Sequence, residues 1–406
     1  MPGPLEGYRV IDLSAMLSGP WAADILGDQG AEVIKLEPLG TGDHVRLLPN
    51  TSGGLASMFV NINRSKKSVA IDLKQAEGRS ALLKLIATAD VVIQNFRPGV
   101  VQRLGISYEE LSAVNPGLVY LSISGFGEVG PYSSKRAYDP IVQAVSGLAS
   151  VQAGSDDGRP RLVRTVLPDK LTAVMGAQAV CAALAGRGHT GRGQHVQLSM
   201  LDTMMSFLWA TDMGAYTFAD RPVLPEQDAS IIDLIFETAD GYITVSTMSD
   251  GEWAAFCRAT DRLDLLEDKR FSTPASRGKH VDERLAEVQE TLLTRTATEW
   301  LEILDANDVP CAPALRRFEV IDHPQVVASE TLITTDHPVA GRLRQARAAA
   351  RFSDTPLAPP RGAPLLGEHT VEVLRSIGLD DDTINGLLES GVAGAPPTPS
   401  LVAGSA

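Results

Sequence analysis

Between residues 8 and 125, short apolar runs alternate with stretches patterned as helices, and this alternation constrains the fold more than any other feature of the chain. Tyr8–Ser14, Ala31–Glu37, Ser68–Leu73, Asp90–Phe96 and Leu118–Ser124 read as strands. The first two are joined by a break at Ser18-Gly19-Pro20 and a helix from Trp21 to Asp28 that stops at Gly30. Further helices are expected over 75–89, 100–104 and 108–115. Strands separated by helical crossovers pair in parallel, because a hairpin has no room for a helix. The expected class is therefore α/β, with a Rossmann-like open parallel sheet in a large domain at 1–220.

Past residue 220 the pattern changes. Pro222 and Pro225 mark a linker at 221–227, and Ile231–Glu237 and Tyr242–Ser246 flank Ala239-Asp240-Gly241 as a hairpin. Helices over 251–260, 281–295 and 297–307 complete a small α+β domain at 228–320. Residues 321–392 read as a return segment that completes the large domain, with a strand at 341–352 and helices at 368–377 and 380–389. The Gly/Pro/Ser/Ala-rich stretch 393–406 reads as a disordered tail.

Composition removes several function classes. A net charge of −14 argues against nucleic acid as a partner. No apolar stretch is long enough to span a membrane, and the N-terminus lacks the pattern of a secretory signal. Cys181, Cys257 and Cys311 are isolated, so the expected location is a reducing cytoplasm. The seven histidines are scattered without ligand spacing, so no metal is expected. Gly186-Arg-Gly-His-Thr-Gly191 matches the dinucleotide glycine pattern, but it follows a helix and precedes a strand at 194–198. That order is the reverse of the one that aims a helix N-terminus at phosphates, so the glycines are assigned to a helix end and turn.

Ligands of open α/β sheets lie beyond the carboxyl ends of the strands, which selects the loops 14–20, 95–99 and 125–139. The last of these carries Lys135, Arg136, Tyr138 and Asp139. Beyond helices at 140–150 and 170–185, an apolar helix at 200–216 is expected in the core or at a subunit contact. Thr165–Leu184 approaches in extended form and turns helical after Pro168. The helix is apolar nearly all round and should be buried, with Asp169 at its N-cap. Capping alone, worth ~1 kcal/mol, accounts for an aspartate there. A carboxylate only partly solvated at the mouth of a buried helix is also a candidate functional residue.

An ordered set of short motifs adds to this reading. It comprises Gly19-Pro20, Gly30–Glu37, Gly42-Asp43 with Arg46, Asn63–Ser68, Asn95–Gly99, Arg103-Leu-Gly105, Ser124–Gly127, Ala137–Asp139, Pro168-Asp169, Thr190–Gln194, Ser199–Asp202 and Leu366–Thr370. In this order the chain resembles the class III CoA-transferases, the CaiB/BaiF family that includes carnitine and formyl-CoA transferases. The resemblance implies that Asp169 attacks an acyl-CoA thioester and passes through an acyl anhydride and an aspartyl-CoA thioester. It implies a CoA site at Lys74, Asn95, Phe96, Arg97, Arg103 and Arg136, with Tyr138 and Asp139 near the acyl group. It also implies an acyl-CoA and a small carboxylic acid as substrates, no cofactor beyond CoA itself, and an interlocked homodimer. The Met248–Gly251 loop is a candidate to close over the acyl group, with succinyl-CoA or another short dicarboxylyl-CoA as the suggested donor.

Two alternatives stay open. A 2-methylacyl-CoA racemase or epimerase of the same superfamily typically carries His-Asp where this chain has Tyr138-Asp139. A phenol, titrating near ~10 in general, replaces an imidazole base poorly, which favours transfer. The other alternative is a non-catalytic CoA-binding protein.

Overall fold

The computed structural model describes residues 3–154, 157–222 and 232–396. Six parallel strands, β1 (Arg9–Asp12), β2 (Glu32–Glu37), β3 (Lys67–Ile71), β4 (Val91–Gln94), β5 (Val119–Ser124) and β6 (His195–Ser199), form a sheet with antiparallel β7 (Ala393–Gly394) on one edge. Its order is β7-β3-β2-β1-β4-β5-β6. The chain runs outward from β1 to β3, crosses back to β4 and runs outward again. The topological switch point therefore lies between β1 and β4, where Val10 faces both Val33 and Val91.

The helices that position the site are α1 (Ser18–Asp28), α2 (Ala76–Ile86), α3 (Asp139–Val145), α4 (Leu167–Thr190) and α5 (Met200–Trp209). Ile11, Ile34, Val69, Val92 and Tyr120 pack with Leu82, Leu85 and Ile86 of α2. Val10, Val33, Ile93 and Leu121 pack with Ala22, Ala23 and Leu26 of α1 and with Ala173, Ala177 and Val180 of α4. Both faces are covered, which is why the strands read as continuous apolar runs. Each buried aliphatic side chain contributes roughly 1.5–3 kcal/mol. Small residues let α1 and α4 approach closely: a Cβ on Gly176 would sit 3.5 Å from Ala22 Cβ and 3.2 Å from Leu121 Cδ2.

Several expectations are corrected. Helix α1 begins at Ser18, because Pro20 is tolerated in a first turn where no N–H is needed. Helix α4 starts at Leu167 and runs through Gly186 and Gly188 to end on Gly191, whose φ of 68° is the left-handed C-cap conformation. It is buried on one face only; Val174 is 47% exposed. Helix α5 stops at Trp209, and its Phe207 and Trp209 are exposed while Met204 and Leu208 are buried. The expected tail begins with a strand, since Ala393 is buried and pairs with Ile71. Residues 397–406, 223–227 of the expected linker and Ile231 lie outside the described residues.

The chain divides into two compact units: Met1–Met213 with Leu332–Ala406, and Gly214–Thr331. The second unit is wider than the 228–320 read from the sequence. It holds a three-stranded antiparallel sheet in which the expected hairpin, Ile235–Glu237 with Tyr242–Val245, gains Cys311–Pro313. Trp253, Phe256, Phe271 and Trp300 form its core. In the first unit, Leu332–His337 and Gly341–Ala346 pair as a hairpin, and Gln345 Nε2 donates to Val60 O at 3.1 Å. Among the described residues, no helix is long and apolar enough to cross a membrane.

Candidate active site

The site is built around the loop between β1 and α1, and buried charge holds that loop. Asp12 faces Lys35 across β1 and β2. Lys35 Nζ reaches Ser14 O at 2.7 Å, Asp43 Oδ2 at 3.1 Å and Asp12 Oδ2 at 3.4 Å. Lys66 Nζ donates to Asp12 Oδ2 at 2.9 Å, Pro20 O at 2.7 Å and Asn63 Oδ1 at 2.9 Å. All of Asp12, Lys35, Asp43 and Lys66 are buried. Burial pushes the Asp12 carboxyl up, but the two ammonium groups outweigh it and hold Asp12 down at about 2. The lysines thereby pin the carbonyls at both ends of the loop. Asp43 Oδ1 accepts the N–H of Met16, a residue held at φ 71°, at 3.0 Å. Asn95 clamps Ala15 from β4, accepting its N–H at 2.9 Å and donating to its carbonyl at 2.7 Å. Gly19 is required where α1 meets this loop, since a Cβ there would lie 2.3 Å from Ser14 Cβ.

This loop forms one wall of a cleft of about 300 Å³ at the carboxyl ends of β1 to β4. Leu13, Ala15, Ile71, Leu73, Phe96 and Leu104 are among its apolar lining, and Lys74 lines it too. Phe96 is half-buried and also packs on the α2 side of the sheet. Arg97, on the turn after β4, and Arg103, in the short helix Val100–Leu104, are exposed, and their side chains have no ionic or hydrogen-bonded partner among the described residues. Of the residues expected at CoA, Lys74 and Phe96 thus share the cleft, and Arg97 and Arg103 follow Phe96 in the chain. Asn95 differs: its amide is committed to Ala15, so it shapes the wall. Arg136 is exposed and makes no contact with the cleft. Arg46 is committed as well, with both Nε and Nη2 on Glu37 at 2.8 Å and its guanidinium 3.7 Å above the Phe59 ring.

Asp169 lies in the first turn of α4, and the N-cap is Val166, which makes no side-chain cap. The expected N-cap position is corrected accordingly. The orphan N–H of Asp169 donates instead to Oδ2 of Asp139, at 3.1 Å. Asp139 is buried, at 3% exposure, and its other oxygen accepts from Gln143 Nε2 at 2.6 Å. Asp139 is therefore turned toward α4. Tyr138, at 60% exposure, is its N-terminal neighbour. Burial and the Asp139 charge push the Asp169 carboxyl up to about 6, against a hydrogen bond from Ser18. Ser18 is the first residue of α1, and Asp169 itself is not among the residues that line the cleft. At neutral pH the carboxylate is ionised yet poorly solvated, as a nucleophile requires.

The sequence reading missed the two lysines and Gln143. Lys35 did leave a signal, as a charge at an inward position of an apolar run, Ala31–Glu37. Lys66 and Gln143 left none, because their burial depends on partners 54 and 20 residues away.

The family model for CoA-transferase family III matches residues 5–370. A Fusarium pseudograminearum acyl-CoA transferase is 34% identical, over 96% of this chain and 88% of its own length. The human succinyl-CoA:glutarate CoA-transferase is 30% identical, over 96% of this chain and 90% of its own length. The crystal structure of a CaiB/BaiF family protein from Brucella suis superposes with a TM-score of 0.79 at 30% identity, covering 93% of this chain and all (100%) of that one.

Proposed function

The chain is a CoA-transferase of family III, and we propose that its transfer runs as a double displacement through Asp169. The carboxylate of Asp169 attacks the carbonyl carbon of an acyl-CoA. The C–S bond breaks, CoA leaves as thiolate, and a mixed anhydride joins the acyl group to Asp169. The thiolate then attacks the aspartyl carbonyl and releases the donor acid, leaving an aspartyl-CoA thioester. An acceptor carboxylate attacks that thioester, and the thiolate returns to the acceptor's acyl carbon. The new acyl-CoA departs with Asp169 regenerated. No net proton is consumed, so the cycle needs a poised carboxylate and no separate base. An anhydride is as activated as a thioester, which keeps each step reversible.

The observation that carries this reading is the half-buried Asp169 carboxylate in the first turn of α4, held up at about 6 by burial and the neighbouring Asp139 charge, with its N–H on Asp139. The cleft suits the adenine end of CoA, with Phe96 along the ring and Lys74, Arg97 and Arg103 available to phosphates. A short dicarboxylic acid is the proposed substrate class, in keeping with the succinyl-CoA:glutarate relative. The proposed assembly is an interlocked homodimer, supported by the exposed Val174, Phe207 and Trp209 on α4 and α5. The proposed setting is the cytoplasm.

Transfer of an isotope-labelled dicarboxylic acid into the thioester pool, read by mass spectrometry, tests the reaction. Running it in deuterium oxide with a 2-methylacyl-CoA separates it from racemisation. Label in the thioester without deuterium at the α-carbon fits transfer; rapid deuterium uptake without acid exchange would overturn it.

A further inference from the structure

We propose that Gln143 is a positioning residue for Asp169, an inference that rests on the nucleophilic role given to Asp169 above. Gln143 lies one turn after Asp139 on α3 and is 2% exposed. Its Nε2 donates to Asp139 Oδ1 at 2.6 Å and to Thr165 O at 3.1 Å, with Val163 O further away at 3.4 Å. Its Oε1 accepts the N–H of Val163 at 2.9 Å. One amide therefore fixes both supports of the nucleophile: the irregular stretch that leads into α4, and the carboxylate that receives the Asp169 N–H.

The approach needs such a tether. Leu162 and Val166 are 46% and 37% exposed, and Val166 offers α4 no side-chain cap. Outside Gln143, the polar ties of 161–166 among the described residues are Arg161 N–H to Ala149 O at 2.8 Å, Lys170 N–H to Val166 O at 3.1 Å, and the local bonds of Thr165 with Leu167 and Lys170. Val163 and Leu167 rest against the apolar cluster of Val142, Met200 and Met204, which gives direction but no register. An amide with donor and acceptor in fixed geometry supplies that register, and the buried Asp139 completes it. A misplacement of about 1 Å at a reacting group costs about 10²-fold in rate.

The test uses the full chain with Gln143→Leu, which removes all these bonds, and Gln143→Glu. The second keeps an acceptor for Val163 but takes the donor from Asp139 and adds a negative charge. Steady-state kinetics are combined with rapid-quench mass spectrometry of the Asp169 peptide. Both variants are expected to lower kcat and the rate of Asp169 acylation by about 10–100-fold, with KM for acyl-CoA within about 2-fold of the parent. Gln143→Glu is also expected to move the acidic limb of the rate profile to higher pH, a shift that mere loss of packing does not produce. Should Gln143→Leu fail to fold, the closely isosteric Gln143→Glu carries the test alone. Parental acylation rate and parental pH limb, with Asp169 labelled in the parent, overturn the role of Gln143 and leave that of Asp169 standing. An unlabelled Asp169 in an actively transferring parent overturns both.

Discussion

The backbone N–H of Asp169 donates to Asp139 Oδ2, so the first turn of α4 is capped by a carboxylate from α3 rather than by its own approach. The cap brings a negative charge to the neighbourhood of the Asp169 carboxyl, and with burial it holds that carboxyl up at about 6. Asp139 is pushed upward too, chiefly by burial, against hydrogen bonds from Gln143 and the Asp169 N–H.

The acidic limb of kcat/KM should follow from this. Activity is expected to rise with pH through about 6, as Asp169 ionises. Asp139→Asn removes the neighbouring charge and moves the limb to lower pH. A pH–rate profile of parent and variant checks it; an unmoved limb would assign the titration to another group.

Stability should show the same charge with the opposite sign. A carboxyl held at about 6 when folded binds its proton more tightly than in the unfolded chain, so its ionisation costs stability as pH rises from about 4 to 6. Asp169→Asn is therefore expected to be the more stable protein above pH ~6, by about 2 kcal/mol, with the difference vanishing below pH ~4. Chemical denaturation at both pH values measures it. The same variant is expected to lose transfer by at least ~10³-fold while retaining CoA binding; parallel loss of binding would point to a structural cap.

Arg97 and Arg103 are exposed without ionic partners among the described residues, and their expected role is to meet phosphate. Arg97→Ala and Arg103→Ala should each raise KM for acyl-CoA by about 5–30-fold at low salt, less at high salt, with kcat nearly unchanged. Arg136→Ala, away from the cleft, should do less. Titrating KM against ionic strength distinguishes these outcomes.

The buried lysines should behave otherwise. Lys66→Met leaves Lys35 as the one ammonium group on Asp12 and frees the carbonyl of Pro20. Breaking a buried pair costs about 3–5 kcal/mol. Asp12→Asn combined with Lys66→Met should recover part of that loss, because neither partner is left charged alone. A double-mutant cycle by denaturant unfolding gives the coupling, and additive losses would contradict the network.

The parts legible in the sequence were those decided by local pattern. Five of the six parallel strands came from apolar runs such as Asp90–Phe96, and the sixth from its place after a glycine-rich turn. The position of Asp169 near a helix start was legible because Pro168 belongs in a first turn. What caps that start was not, since Asp139 reaches it across 30 residues. The resemblance implies Asn95 at CoA; in the fold its amide bonds to Ala15, a partner visible only once β4 lies beside β1. The strand at Ala393–Gly394 was hidden because a Gly/Ala-rich stretch carries no β signal until Ile71 offers an edge.

The most direct measurement is the mass of the Asp169 peptide after the enzyme turns over acyl-CoA and is quenched into borohydride or hydroxylamine. The double displacement predicts that Asp169 alone is reduced or converted to its hydroxamate, in parent enzyme and not in Asp169→Asn. An unmodified Asp169 peptide from enzyme that is actively transferring CoA would contradict it.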